Sequence, residues 1–397
     1  MFSSLKFKYF RFYWLSMFVS LVGTWTQTVT QGWLVFELTN SSFLLGVVGF
    51  LASLPIFVLS VFGGLLADRV NKRNILICTQ AAFMLLAFLL AVLTQSRLIA
   101  PWQIMLIALC NGMIMAFDAP ARQSIVVELV GKEHLFNAIA LNSVAFNSSR
   151  IIGPAIAAVM VSIIGMSGCF YLNGISFLPL IFALFYIRFA PGQPANNNSA
   201  FKDIKAGLLF VRGQPRILAL MSVVCAMSIF GVSYIILMPV FASHVLGVGM
   251  RGLGGLVSSS GIGALAGALG LAKLGDVKCK GKMLFWSVFL FAASLIFFSL
   301  TRNYLWSILA LVLVGIFSVV PVALVNTLLQ INVPDAFRGR VMSLFMITFA
   351  GMMPFGNLIA GALAESWGVS GSLLACGSVC LILFVLINLF FPDLKKL

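Results

Sequence analysis

Twelve apolar segments, each long enough to cross a bilayer, follow one another along the chain. They lie near residues 11–36, 43–67, 74–96, 101–121, 137–162, 168–189, 216–243, 252–272, 283–301, 304–327, 341–363 and 370–391. A helix needs about 20 apolar residues to span the hydrocarbon core. Only 9% of the 397 residues are charged, whereas soluble domains carry roughly 25%. The pattern predicts an all-α membrane protein with twelve transmembrane helices and no cleavable signal peptide.

The basic residues predict how these segments are oriented. With both termini in the cytoplasm, all but four of the 25 lysines and arginines lie on the cytoplasmic side; the exceptions are Arg97, Arg251, Arg302 and the intramembrane Arg150. This is the positive-inside pattern. The net charge of +15 therefore indicates orientation and contact with anionic lipids, not nucleic-acid binding. Chain length and short loops suit a bacterial inner (cytoplasmic) membrane.

A Pro-, Gly- and Asn-rich linker at residues 190–199 divides the segments into six and six. We expect an N-terminal six-helix bundle at 1–189, a linker with an amphipathic helix at 190–215, and a C-terminal six-helix bundle at 216–397. Gly153 and Gly356 occupy equivalent places in the two halves. Two related bundles are typical of transporters that move about a central site. A GxxxG pattern at 263–267 predicts close packing within the chain, and we expect a monomer.

A charged turn separates the second and third segments. Residues 64–73 read Gly-Leu-Leu-Ala-Asp-Arg-Val-Asn-Lys-Arg, so one acid and three bases lie between two membrane spans. The simplest interpretation is a cytoplasmic turn that only orients the protein. The alternative is a contact that opens and closes during function.

This turn and three other motifs resemble the major facilitator superfamily over the whole chain. Residues 117–124, 150–154 and 334–343 are similar to the branch that holds enterobactin exporters and macrolide-efflux proteins. The resemblance implies that Asp68 docks on the N-terminus of the eleventh span. The conformational latch would then consist of Gly64, Asp68, Arg69, Lys72 and Arg73. Asn71 replaces a family glycine, which we expect to be a mild change because Asn tolerates a left-handed turn.

Charged residues within or beside the spans are candidates for ion pairing or proton coupling. Asp118 and Arg122 lie one helical turn apart, so they form either a local ion pair or, in the alternative, a proton-carrying site at Asp118. Glu37 at an outer helix end is a second coupling candidate. Arg150 lies near the middle of the fifth span, where a cation is costly. It contacts either substrate oxygens or a buried structural partner.

Gly153 and Pro154 predict a kink in the fifth span, because Pro removes a backbone donor. The pair resembles the core of the family's antiporter motif, which implies export. The alternative is a kink that serves packing alone.

Polar residues in the first span, Thr24, Gln27, Thr28 and Gln31, form a stripe at helical spacing. Polar side chains in a span face protein or water. The resemblance implies that spans one, four, seven and ten line a central cavity. Further cavity candidates are Asn111, Met115, Asn147, Tyr234 and Asn326. Neutral polar groups beside Met and aromatic rings suit an amphipathic ligand; the aromatic rings alone could equally contact lipid.

The favoured function is secondary active, proton-coupled export of an amphipathic small molecule, either a siderophore-like metabolite or a drug, by alternating access. The chain has no phosphate-binding loop, so ATP is not expected to drive transport directly. Alternatives are an importer or a lipid or lysolipid flippase on the same fold, and a polytopic membrane enzyme. Only two histidines occur and carboxylates do not cluster, so we expect no enzyme activity, metal or cofactor.

Overall fold

All regular secondary structure in the described part of the chain is helical. The computed structural model describes residues 3–187, 200–275 and 279–391, and within them all side chains except those of residues 3, 61, 65, 67–69, 132, 200–205 and 336. In chain order the helices are a 3-10 turn Ser3–Lys6, α1 Lys8–Thr39, α2 Ser42–Arg69, α3 Lys72–Gln95, α4 Pro101–Ser176, α5 Leu178–Tyr186, α6 Ala200–Arg212, α7 Pro215–Ala226, α8 Met238–Val240, α9 Gly249–Leu274, α10 Lys280–Leu300, α11 Tyr304–Asn332 and α12 Asp335–Phe390. The predicted linker 190–199 lies outside the described residues.

Nine helical stretches in the described part are long and apolar enough to cross a membrane. They are Ser42–Ser60, Lys72–Gln95, Pro101–Gly131, Glu133–Tyr186, Pro215–Val245, Gly249–Leu274, Lys280–Leu300, Tyr304–Asn332 and Phe337–Phe390. The protein is therefore a multi-pass membrane protein. The count of twelve spans and the cytoplasmic termini stay predictions.

Two of these stretches are each interrupted by a glycine. Glu133–Tyr186 and Phe337–Phe390 both contain 54 residues, which as straight helices would measure about 81 Å, far more than the roughly 30 Å hydrocarbon core. Gly165 has φ 72° and ψ 177°, and Gly368 has φ 74° and ψ 161°. Only glycine adopts this backbone conformation without strain. Each stretch thus consists of two helices joined at one residue.

The chain forms two compact units. Unit 1 comprises Met1–Asn40, Leu51–Asn196 and Met250–Ser258, and unit 2 comprises Ser41–Phe50, Asn197–Gly249 and Ser259–Leu397. The predicted domain bounds 1–189, 190–215 and 216–397 stay a prediction.

In unit 1, α1 and α3 pack along α4. An apolar core fills one end of the unit and includes Phe10, Tyr13, Ile125, Leu141 and Leu184. Asn71 begins α3 by capping it, and α4 begins with Pro101 at a position where the missing N–H costs nothing. The N-termini of α3 and α4 therefore determine the depth at which the polar residues of these two helices lie within unit 1.

In unit 2, α10 packs on α11 and α12. The α9 helix approaches α11 closely through the predicted GxxxG pattern: a Cβ placed on Gly267 would lie 2.5 Å from the Ile316 carbonyl oxygen. The pattern therefore serves packing between helices of one chain.

The stretch Pro215–Val245 in unit 2 is irregular. After α7 it continues as a π turn at Met227–Gly231, a 3-10 turn at Val232–Ile235, the short α8, and a second π turn at Phe241–Val245. Such turns inside a helix are frequent at functional sites. Gly356 of α12 allows both the first π turn and the 3-10 turn to approach, because a Cβ there would clash with the Ile229 carbonyl oxygen of the former and lie 2.5 Å from the Ser233 hydroxyl oxygen of the latter.

The linker helix α6 packs against the beginning of α12 in unit 2. The rings of Phe210 and Phe337 stack with centroids 4.4 Å apart, and Val211 is buried. Leu208 and Leu209 stay exposed. An anchored helix with two exposed leucines has the form of a helix that lies on a membrane surface.

Candidate functional site

A buried ion pair lies inside unit 1. The Asp118 carboxylate has no solvent exposure, and its Oδ2 accepts from Arg122 Nε at 2.9 Å and Nη2 at 2.8 Å. Its Oδ1 accepts from Thr79 Oγ1 at 2.8 Å and Gln80 Nε2 at 2.6 Å. Four donor atoms thus surround the carboxylate. The geometry therefore favours the ion-pair interpretation over a proton carrier.

Three polar atoms around this ion pair are buried without a hydrogen-bond partner among the described residues. They are the Tyr13 hydroxyl, Arg122 Nη1 and Gln80 Oε1. Tyr13 lies close enough to Asp118 and Arg122 to interact electrostatically with both. Buried polar atoms are normally satisfied, and ordered water is their usual partner when protein groups are missing. Ordered water is therefore the partner that we expect for these three atoms.

The charged turn is held within unit 1 where its side chains are described. Lys72 pairs with Glu128 of α4, and Arg73 Nη2 donates to the Phe185 carbonyl at 2.8 Å. Asn71 has φ −59°, so the left-handed conformation that asparagine tolerates is not used at this position. Its side chain instead accepts from the Arg73 N–H at 3.0 Å, which caps α3.

The remaining latch residues are placed only by their backbone. Gly64 is half-buried on α2, and a Cβ added to it would have no atom within 4 Å. Asp68 and Arg69 end α2, but their side chains lie outside the described residues. The predicted docking of Asp68 thus stays a prediction.

The polar stripe of the first span divides into two sets. Thr24 and Thr28 are exposed and Gln31 is half-buried. Gln27 is buried, and its Oε1 accepts from Asn173 Nδ2 of α4 at 2.7 Å. Gln27 therefore bonds α1 to α4, which leaves Thr24 and Thr28 as the open part of the stripe.

The other cavity candidates also differ in exposure. Met115 is exposed, while Asn111 and Asn147 are half-buried. Tyr234 is buried, with its hydroxyl 2.6 Å from the Ser260 Oγ. Asn326 is half-buried and accepts from Gln330 Nε2 at 2.5 Å. Within each unit, the open candidates are those on helix faces that no neighbouring helix of the same unit covers.

The Gly153–Pro154 pair is closely packed in unit 1. A Cβ on Gly153 would lie 2.5 Å from Trp25 Cβ, and the Thr26 hydroxyl donates to the Gly153 carbonyl at 3.1 Å. The first turns of α9 pack on the other side, where a Cβ on Gly254 would lie 2.5 Å from the Pro154 carbonyl oxygen. The glycine thus serves helix packing, while the kink at Pro154 stays a prediction.

Two further charged candidates differ in how far they are buried. Arg150 is half-buried on α4, three residues before Gly153. Glu37 is exposed near the end of α1. Among the described residues, no group of three His, Cys, Asp or Glu side chains could hold a metal ion.

Several residues of these networks were not anticipated from the sequence. Thr79, Gln80 and Asn173 are polar residues within predicted spans, and that property alone could have marked them as partners for other polar groups. Glu365 was also missed: its Oε2 accepts from Ser41 Oγ at 3.1 Å and Phe43 N at 3.0 Å. Its position at the end of a span is the available signal.

In comparisons with known proteins, the similar sequences named below are membrane transporters. Residues 1–396 match the family model described as transmembrane secretion effector. The staphyloferrin A transporter of Staphylococcus aureus is 26% identical, with 95% of this chain and 96% of the relative covered. The enterobactin exporter EntS of Shigella flexneri is 24% identical, with 98% and 92% covered.

Solved structures show the same fold at low identity. A bacterial homolog of the human lysosomal transporter Spinster has a TM-score of 0.76 at 13% identity, covering 98% of both chains. The nucleoside transporter NupG has a TM-score of 0.78 at 13% identity, covering 96% of this chain and 99% of its own. These likenesses concern the fold alone.

Proposed function

Because this chain belongs to the transmembrane secretion effector family of the major facilitator superfamily, we propose that it exports an amphipathic small molecule by alternating access. The observation that carries this proposal is the full-length match to transporters, two of which are named for siderophores. The Gly153–Pro154 pair, which resembles the antiporter motif, supports export over uptake.

We propose twelve spans in two six-helix bundles, 1–189 and 216–397, joined by the linker 190–215. The glycine breaks at Gly165 and Gly368 support this count, since each divides a 54-residue stretch in two, and α1 adds one further span to the nine. The distribution of Lys and Arg supports cytoplasmic termini and an inner membrane. Anionic lipids would contact the basic cytoplasmic side, and we propose a monomer.

We propose a siderophore-like substrate rich in carboxylate or other acidic oxygens, in preference to a cationic drug. Arg150 is the intramembrane cation that would meet such oxygens, because charged hydrogen bonds are stronger than neutral ones. Thr24, Thr28, Asn147 and Met115 are the open or partly open side chains that would contact the rest of the ligand. Together they would offer one cation, neutral polar groups and an apolar thioether.

We propose that Gly64, Asp68, Arg69, Lys72 and Arg73 act as the latch between transport states. A carboxylate at a helix N-terminus gains about 0.3–1 kcal/mol, which is small for folding but changes a two-state population several-fold. Lys72 and Arg73, which are bonded within unit 1, would hold the turn in position while Asp68 engages and releases.

We infer that protons drive export. Four donor atoms, two of them from Arg122, hold the Asp118 carboxylate, so we assign Asp118 a structural role. This leaves Glu37 or an ionisable substrate as the better proton carrier. A pH gradient imposed on proteoliposomes should change the export rate if coupling exists.

The direct test compares metabolites outside cells with and without the gene. We expect untargeted mass spectrometry of spent medium to show one oxygen-rich metabolite that is depleted outside and accumulates inside the deletion strain. Wild-type protein should restore export, and Asp68→Asn, inserted at equal level, should not.

Two outcomes would contradict the proposal. A metabolite that remains in the medium and is missing inside the deletion strain would indicate an importer. Outward-leaflet lipid changes without any soluble metabolite would indicate a flippase.

A further inference from the structure

The first turn of α2 is held by an acid of α12. Glu365 Oε2 accepts from the Phe43 N–H at 3.0 Å and from Ser41 Oγ at 3.1 Å. Ser41 Oγ in turn accepts from the Leu44 N–H at 3.2 Å. The carboxylate thus binds the free donors at a helix N-terminus, where partial positive charge collects.

Close packing of small residues supports this contact. A Cβ on Gly361 would lie 2.8 Å from Gly46 Cα, and a Cβ on Gly49 would lie 3.0 Å from Asn357 Nδ2. The backbones of α2 and α12 therefore touch over two turns beside Glu365. Residues Ser41–Phe50 belong to unit 2 for this reason, whereas α2 from Leu51 onward belongs to unit 1.

Glu365 is the single charged residue between positions 341 and 391, and residues 41–50 carry no charge. Other elements in contact with α12 also carry ionisable groups: Arg212 in α6, Arg216 in α7, Lys280 and Lys282 in α10, and His244 in the π turn Phe241–Val245. Arg302, between α10 and α11, donates to the Ser299 and Thr301 carbonyls. Glu365 is exposed, and its carboxylate faces the helix terminus.

We propose that Glu365 is a positioning residue for transport, which clamps the first turn of α2 to α12 in one state of the cycle and releases it in the other. The proposal rests on the proposed function, since it requires alternating access. The state of this contact would bear on the whole of α2, because the helix begins in unit 2 at Ser42 and continues through Pro55 into unit 1.

The proposed clamp is reciprocal to the latch at the other end of α2. Asp68 ends α2, and the family resemblance directs it to the start of the span that α12 contains. Glu365 ends that same span and is bonded to the start of α2. Asp68 at the end of α2 would thus bind the start of the span in α12, and Glu365 at the end of that span binds the start of α2. We expect the two contacts to stabilise opposite states of the transport cycle.

The proposed clamp can be tested without any substrate, by hydrogen–deuterium exchange of the full chain in nanodiscs of phosphatidylethanolamine and phosphatidylglycerol. We expect Glu365→Gln to speed exchange of residues 41–50 by about two- to five-fold, the size expected for a charge at a helix terminus. Exchange of residues 64–73 should slow, since the population moves to the state held by Asp68. Glu365→Asp keeps the charge, so exchange of both segments should lie between that of Glu365→Gln and that of the wild type.

Glu133→Gln is the matched control, because it removes another exposed glutamate at the start of a helical stretch and should leave both segments unchanged. Unaltered exchange of residues 41–50 in Glu365→Gln would overturn the clamp. Faster exchange there with no change at 64–73 would overturn it too, since Glu365 would then be a local cap only. Neither result depends on finding an exported metabolite.

Discussion

At the scale of single residues, the Asp118 carboxylate is held on both of its oxygens. Arg122 of α4 bonds one oxygen through two nitrogens, and Thr79 and Gln80 of α3 donate to the other. The carboxylate therefore joins α3 to α4 inside unit 1.

Replacing Asp118 with Asn should destabilise the protein strongly. The change leaves the Arg122 cation partly buried without its charge partner, which we expect to cost about 3 kcal/mol. Thermal unfolding in nanodiscs measures it. The control is Asp335→Asn, since Asp335 pairs with Arg338 at 2.6 Å with 86% of its own side chain exposed, and exposed pairs contribute at most about 1 kcal/mol. Equal shifts for the two variants would contradict the structural role of the buried pair.

The variant Tyr13→Phe tests whether ordered water bonds the Tyr13 hydroxyl beside the ion pair. Removing a hydroxyl that bonds ordered water should lower stability by about 0.5–1.5 kcal/mol. Removing an unsatisfied hydroxyl should instead leave stability unchanged or raise it. The sign of the change in unfolding temperature decides, with the exposed Tyr186→Phe as the control for loss of a hydroxyl.

At the scale of helices, small residues set how closely two elements approach. Gly267 and Gly270 lie one turn apart on α9, yet a Cβ would lie 2.5 Å from the Ile316 carbonyl oxygen at the first and would have no atom within 4 Å at the second. The GxxxG spacing predicts the first contact. The absence of one at Gly270 follows only from the position of α11.

These two glycines form a matched pair for mutation. Gly267→Ala should destabilise the protein by about 1–3 kcal/mol, because the added methyl forces α9 and α11 apart. Gly270→Ala should stabilise it by up to about 1 kcal/mol, because alanine favours a helix over glycine. Unfolding temperatures of both variants in the same lipid measure the difference. Similar shifts for both would contradict the close approach of the two helices.

At the scale of the whole molecule, the succession of apolar segments predicts a helical membrane protein, and the motifs indicate the family. Which polar side chains stay open was harder to predict. Gln27 and Thr28 are neighbours, yet one is buried against Asn173 and the other is exposed. Polarity within a span requires a partner but does not say whether that partner is protein, water or ligand.

A transport assay can decide whether the partner of Arg150 is the substrate or another part of the protein. If its guanidinium binds substrate oxygens, Arg150→Gln should raise the apparent KM for export about tenfold or more, since charged hydrogen bonds contribute about 1.5–3 kcal/mol. Expression level and unfolding temperature should change little. Arg150→Lys keeps the charge and should recover part of the affinity. A large loss of folded protein with an unchanged KM would instead assign Arg150 a structural role.

The single-residue turns at Gly165 and Gly368 bear on how the protein is made. Each joins two apolar helices without a long loop between them, so in the orientation that we propose almost no loop has to be carried across the bilayer during synthesis. Each pair can therefore enter the membrane as one preformed hairpin at the insertion machinery. A reporter or epitope tag of charged residues inserted at either glycine would need to be translocated, and we expect it to stall biogenesis at that hairpin.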